Sequence, residues 1–296
     1  MSSRPGMTRR QLIRLGLTGS VAVASCAVAL GGPLAFPIAS GQPATTTVLG
    51  VRAGPVPAGG PADALPLVVE SMDLTSNRVQ VLPVAQRQQD GTPVLTVRER
   101  ISAFAVLADG TFLVAITPLP GNSQSRSPMR LTRLGPSSAT SVPTRGLAAL
   151  EHVSTLLRTP AGQVLALAER RDGRPPTRIV QIDPQTGLAT DHVQLPAATR
   201  FVSLAQCPDG QLYASRVESG GKTSLVNLNT GASVQLSFQG EVWNNGLASL
   251  VCSATNQLFA LGAMRSKWPN GVHRVDTGDG SMTRIADFNV GKLSIT

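Results

Sequence analysis

The sequence predicts an all-β protein, a β-propeller of five four-stranded blades whose ring is closed by the C-terminal strand. Three observations predict it. Glycine (29) and proline (22) are plentiful while only 15% of residues are charged, a composition that favours many turns and short strands over long helices. A fifteen-residue pattern recurs without gaps at 101–115, 153–167, 201–215 and 247–261. The turn residue inside that pattern repeats at separations of 52, 48 and 46 positions, too long for single hairpins and typical of propeller blades.

The chain opens on a segment distinct from the rest. Residues 8–14 read TRRQLIR, followed by an uncharged run from Leu15 to Ser40 and by small residues at Ala39 and Gly41. Thr8, Arg9, Arg10, Leu12 and Ile13 resemble the twin-arginine export motif. That resemblance implies a signal peptide over 1–41, a propeller domain over 42–296, and a folded protein delivered to the periplasm or beyond. An ordinary secretory signal, a retained anchor (the run exceeds the ~20 residues that span a bilayer) and lipidation at Cys26 are the alternatives. A membrane is otherwise expected to be no partner.

Each column of the repeat has a physical meaning. The first holds a large apolar residue (Ile101, Val153, Phe201, Leu247), the third a small one (Ala103, Thr155, Ser203, Ser249), and the fourth a large one again (Phe104, Leu156, Leu204, Leu250). The tenth holds Gly110, Gly162, Gly210 and Asn256, residues that accept positive φ, as a tight reversal requires. A second strand pair in each unit turns at Ile182–Gly187, Leu228–Gly231 and Val275–Gly278, with Met72–Asn77 as the counterpart in the first unit. These outer strands resemble those of NHL-like propeller blades.

Five units fit the chain. The first lacks an upstream inner strand, while Leu293-Ser294-Ile295-Thr296 resembles the opening Ile101-Ser102-Ala103-Phe104. The C-terminal strand is therefore expected to complete the first blade and remove the exposed edges of an open array. A free tail, or a sixth blade using residues 28–44, is the alternative.

Several chemistries lack support. Without the four leader arginines the surplus of positive charge falls from nine to five and is dispersed, so nucleic acid is not an expected partner. Cys207 and Cys252 are expected to be buried free thiols, because inner strands of adjacent blades are expected to diverge and a bridge needs Cα atoms within ~7 Å. His152, His192 and His273 lack metal-ligand spacing. No GxSxG elbow is present, and Gly220-Gly221-Lys222-Thr223 is read as a hairpin turn, since Arg216 stands where a phosphate loop has its first glycine. Trp243, Trp268 and Tyr213 are too few to argue for a sugar site.

One group of residues remains. Arg100, His152 and Arg200 each immediately precede the first column, so equivalent blades place them around one mouth of the channel, a rim suited to a small anion or an acidic protein partner. Trp243, Asn244 and Asn245 complete this candidate ligand-binding group at the start of the last unit. The segment Asn244-Asn245-Gly246-Leu247-Ala248 resembles one in the gluconolactonase and senescence-marker propeller family. The resemblance implies that Asn245 ligates a channel calcium and that the protein is a calcium-dependent lactonase-like hydrolase. The leading expectation is a monomeric, non-catalytic binding or scaffold protein without a cofactor.

Overall fold

A computed structural model of the chain describes residues 46–56, 63–119, 129–264 and 270–295. The chain divides into two compact units, Met1–Gln42 and Pro43–Thr296, and every described residue lies in the second. The leader with Cys26, residues 28–44 as a source of a further blade, and Trp268 lie outside the described residues. Among the described residues no helix is long and apolar enough to cross a membrane.

The strands form five antiparallel blades. From the inside outward, blade 2 consists of Glu99–Val106, Phe112–Pro118, Arg130–Leu134 and Ala139–Pro143. Blade 3 consists of Glu151–Arg158, Val164–Arg170, Arg178–Ile182 and Ala189–Gln194, and blade 4 of Arg200–Gln206, Leu212–Val217, Thr223–Asn227 and Ser233–Gln235. Blade 5 runs Ser249–Cys252, Leu258–Gly262, Gly271–Val275 and Ser281–Asp287, with two short outer strands added from the segment that enters it.

Blade 1 is the closure. Its inner strand is Lys292–Ile295, paired antiparallel with Thr47–Ala53 in the register Val48↔Ile295 to Val51↔Lys292. Leu67–Asp73 and Val79–Leu82 follow outward. Inner strands contact their neighbours all the way round, including the closing strand with both blade 2 and blade 5. The closing strand is pinned by Leu293 N donating to Ser249 Oγ (2.9 Å) and by Ser294 Oγ accepting from Val106 N (3.2 Å).

The column pattern follows from the twofold alternation of side chains along a strand. In blade 2, Ala103, Ala105, Leu113 and Ala115 face one interblade core, shared with Val153 and Leu156 of blade 3. Phe104, Val106, Phe112 and Val114 face the other, shared with Leu49, Val51 and Leu67 of blade 1. Both faces of each blade are covered, so the inner strands read as nearly continuous apolar runs.

The four hairpins match one another. Leu107, Thr159, Cys207 and Ser253 each donate a backbone N–H to the carbonyl four residues on, and the residue before that acceptor is Gly110, Gly162, Gly210 or Asn256, at φ 78°, 83°, 86° and 59°. The outer turns also match, with one shift. Gly187 and Gly231 have positive φ and donate back to Asp183 and Asn227, but in the last blade this role falls to Gly280, which donates to Asp276. Gly278, the residue the sequence suggested, instead donates its N–H to the Asp276 carboxylate. The shared geometry counts five residues from the capping Asp or Asn, and counting from the strand end misplaces the last by two.

The expectation of free thiols is corrected. Cys207 and Cys252 form a disulfide with Cα atoms 5.1 Å apart. Inner strands converge at the channel axis, where adjacent hairpins touch: Asn256 Oδ1 of blade 5 accepts from the backbone N–H of Asp209 in blade 4. Gly220 and Gly221 lie in a turn between two strands of blade 4, as the hairpin reading expected.

Candidate functional site at one channel mouth

The start of the inner strands is shaped by a repeated irregularity. Blades 2, 3 and 4 each carry a β-bulge in the same column, between Ile101 and Ala103, Val153 and Thr155, and Phe201 and Ser203. A bulged residue drops out of the ladder and frees its carbonyl for another donor. In blade 3 that residue is Ser154, and the donor is Lys292. The Lys292 ammonium donates to Ser154 O and to Ala248 O of blade 5, each at 2.9 Å. One side chain thus ties the closing strand to a neighbouring blade and to a blade across the ring.

The same bulge sets the acid beside this lysine. It places His152 directly opposite Glu169 on the second strand of blade 3. His152 Nε2 lies 3.4 Å from Glu169 Oε1, and Arg200 Nε of blade 4 lies 4.0 Å from Glu169 Oε2. His152 and Glu169 are 5% and 9% exposed, so this polar pair lies inside the protein. His152 Nδ1, Glu169 Oε2 and Arg200 Nε are enclosed without a hydrogen-bond partner among the described residues. Glu169 Oε2 and Arg200 Nε, too far apart to hydrogen-bond, therefore interact as charges across 4.0 Å.

Electrostatics at this mouth centre on Lys292. Enclosure by protein pushes its ammonium down from the usual lysine range to about 8, Glu169 opposes that shift and Arg100 reinforces it. By surface area the residue is only partly buried. Its ammonium is held by carbonyls from two blades. With its midpoint near 8 the amine stays charged at neutral pH. Glu169 faces Arg200 and Lys292, and Arg100 acts on the same ammonium, so three basic groups meet one carboxylate here.

The sequence-derived residues fall in different places. Arg100, His152 and Arg200 stand at corresponding positions at the start of their inner strands, with Arg100 exposed, Arg200 partly exposed and His152 buried. Asn244 and Asn245 lie exposed on the loop entering blade 5, where Asn245 Nδ2 donates to Ala263 O at 3.0 Å. Trp243 belongs to the core of blade 5. It is fully buried, and its indole meets His273 edge-on with ring centroids 5.2 Å apart. It therefore offers no surface to a ligand at the rim.

The residues present do not fit a calcium ion. A hard cation needs six to eight oxygen donors with carboxylates among them, whereas the residues at equivalent positions around this mouth are Arg100, His152 and Arg200, and Lys292, three positions further along the closing strand, reaches the same mouth with its ammonium. Glu151 is committed to Arg178, whose Nη2 donates to it at 2.6 Å, and to the backbone N–H of Ala148. That pair repeats in blade 2, where Glu99 accepts from Arg130 and from Thr96 N, so both glutamates brace the strand starts. Among the described residues no three His, Cys, Asp or Glu side chains gather in a way that could hold a metal.

Comparison with protein-family models gave no match, and comparison with curated proteins gave none. Among solved structures the chain is similar to a protein of unknown function from Bacteroides caccae (11% identity, covering 85% of this chain and 99% of that one, TM-score 0.46). It is also similar to a gluconolactonase from Xanthomonas campestris (15% identity, 77% and 78% coverage, TM-score 0.43). A third is virginiamycin B lyase from Staphylococcus aureus (10% identity, 73% and 62% coverage, TM-score 0.39). These likenesses are of fold.

Proposed function

We propose that the protein is an exported, non-catalytic binding protein whose basic channel mouth takes a small anion. The observation that carries this reading is the Lys292 ammonium, enclosed at the ring's centre with Arg100 and Arg200 at the same mouth and one carboxylate for counter-charge. A charged donor already desolvated and fixed by carbonyls needs little further ordering when an anion arrives, and low local dielectric strengthens the attraction. The disulfide supports an oxidising compartment, in keeping with the twin-arginine resemblance of the leader.

Titration calorimetry with inorganic sulfate and phosphate at fixed ionic strength tests the binding. Saturable heat is expected, with affinity falling at least about tenfold in Lys292→Met. Absence of saturable binding to the wild type, or identical affinity in the variant, would sink the reading. For the export route, replacing Arg9 and Arg10 by lysine is expected to leave the protein in the cytoplasm; undiminished export of that variant would exclude the twin-arginine path.

A further inference from the structure

The end of the propeller where the inner strands begin combines exposed apolar side chains with exposed basic ones. Val97, Leu119 and Leu150 are 39%, 41% and 57% exposed, on three separate loops. Val97 and Leu150 stand just before Glu99–Val106 and Glu151–Arg158, and Leu119 donates its N–H to Arg98 O. Basic residues sit among them. Arg98 adjoins Val97, Arg171 N donates to Leu150 O, and Arg174 and Lys222 are exposed on loops of blades 3 and 4 at the same end. Four acids here are already paired, Glu99, Glu151, Asp172 and Glu218 each with an arginine of its own blade. Asp63, beside Val97, offsets one of the exposed charges. The other end differs. Its inner hairpins show no exposed large apolar residue among the described residues. Its turns carry Asp109, Asp183, Asp209, Asp276 and Asp279 against Arg78, with Arg133, Arg158 and Arg274 on adjoining strands, so that end has no basic surplus.

We infer that this face docks on an anionic lipid bilayer, with Val97, Leu119 and Leu150 entering the interface and Arg98, Arg174 and Lys222 meeting headgroup phosphates. Exposed apolar residues are ordinary when scattered singly. Here three share one end with the basic surplus. A bilayer accepts both at once: basic residues draw the protein to anionic headgroups, and apolar side chains on separate loops enter the acyl boundary one by one, without the continuous groove a protein partner would fill. Guanidinium groups suit phosphate oxygens in geometry as well as charge. Because these features lie at one end only, they also fix the orientation, channel mouth toward the membrane. The surface does not rest on the anion site, which uses none of these six residues.

The test places a polarity-sensitive fluorophore on the full chain, at Ala149→Cys beside Leu150 or at Gln185→Cys on an outer turn of the other end, both exposed positions. Cys26→Ser leaves the introduced thiol as the one to label, since Cys207 and Cys252 are paired. Vesicles are phosphatidylcholine alone or in equal parts with phosphatidylglycerol. Blue-shifted emission is expected from the first probe on the mixed vesicles only, and none from the second. A chain held at vesicles through its leader alone would leave both probes in water, so the readout reports the face itself. Arg98→Gln with Arg174→Gln is expected to raise the lipid concentration needed at least about tenfold, since each basic residue at an anionic surface contributes about fivefold. Leu119→Ser with Leu150→Ser is expected to raise it by a similar factor. Lys292→Met, which tests the anion site, is expected to leave the shift intact, so the two readings fail separately. No shift on mixed vesicles, equal shifts from the two probes, or unchanged binding in both double variants would overturn the inference.

Discussion

Lys292→Met should abolish a pH dependence of stability that the wild-type protein carries between pH 8 and 10.5. Burial lowers the lysine midpoint from 10.5 to about 8 in the folded state. Below pH 8 both folded and unfolded chains hold the proton, and the full cost of enclosing the charge is present. Between pH 8 and 10.5 the unfolded chain binds more protons than the folded one, so stability rises with pH. A fall from 10.5 to about 8 corresponds to about 3 kcal/mol, most of it reached by pH 10. The composition makes the window unusually clean: the chain has three lysines (Lys222, Lys267 and Lys292) and a single tyrosine, and its domain cysteines are paired. Methionine keeps the stem's length and removes the amine; loss of the two carbonyl contacts adds an offset that does not vary with pH. Urea unfolding followed by circular dichroism at intervals from pH 7 to 10 measures both chains. Parallel curves for wild type and variant, or a wild type that weakens steadily through the interval, would refute the placement of this ammonium.

Other perturbations read other parts of the structure. Reducing the Cys207–Cys252 bond, which closes a loop of 45 residues, should cost about 4 kcal/mol and lower the melting temperature by about 8–16 °C; an unchanged melt under a phosphine reductant would contradict it. Gly210→Ala and Gly280→Ala should differ. Both have positive φ, but a methyl at Gly210 meets open space and costs about 1 kcal/mol, whereas at Gly280 it lands 2.2 Å from Gln235 O and should cost at least about 3 kcal/mol; equal losses in denaturant midpoints would count against the outer-turn geometry. His273 is buried, and burial, aided by Arg284, lowers its midpoint from 6.5 to about 4. Stability should therefore fall by about 3 kcal/mol as pH drops from 6.5 to 4, and His273→Phe should lose much of that dependence in acid unfolding curves.

The ring was legible in the sequence because its determinants are local. Gly110, Gly162 and Gly210 mark left-handed positions, and the alternation around them follows from strand geometry. The closing strand was legible because Leu293-Ser294-Ile295 alternates as the inner strands do, but its register was not: Met72↔Val48↔Ile295 matches Ile182↔Val164↔Arg158, which puts Leu293 level with Leu156 and not, as the sequence suggested, with Val153. The site was legible only in part. Arg100, His152 and Arg200 could be aligned, but the partner of His152 could not be counted correctly. Continuing the ladder back from Leu156↔Ala166 without a bulge puts Arg170 opposite His152; the bulge at Ser154 moves Glu169 there instead. One skipped residue exchanges a guanidinium for a carboxylate opposite His152. Lys292 gave no local signal at all, since its partner Ser154 lies 138 positions away and meets it only when the ring closes. The disulfide was missed for a related reason: column positions within a blade say nothing about how near adjacent blades come at the axis.

Closure and binding share an element, and this coupling is testable. The strand Lys292–Ile295 completes blade 1 and delivers the ammonium to the channel mouth. In an opened ring that amine has no carbonyl of Ser154 or Ala248 to fix it, and Arg100 and Arg200 lose their shared geometry. An anion held at this mouth therefore binds the closed ring and not the unfolded chain, so it must stabilise closure by mass action. At sulfate one hundred times its dissociation constant the gain is about 2.7 kcal/mol. Urea midpoints should rise with sulfate by that amount in the wild type and by far less in Lys292→Met, both measured against chloride at matched ionic strength. Equal protection of the two proteins would mean that sulfate acts through general exclusion from the surface, and that the closing strand serves the architecture alone.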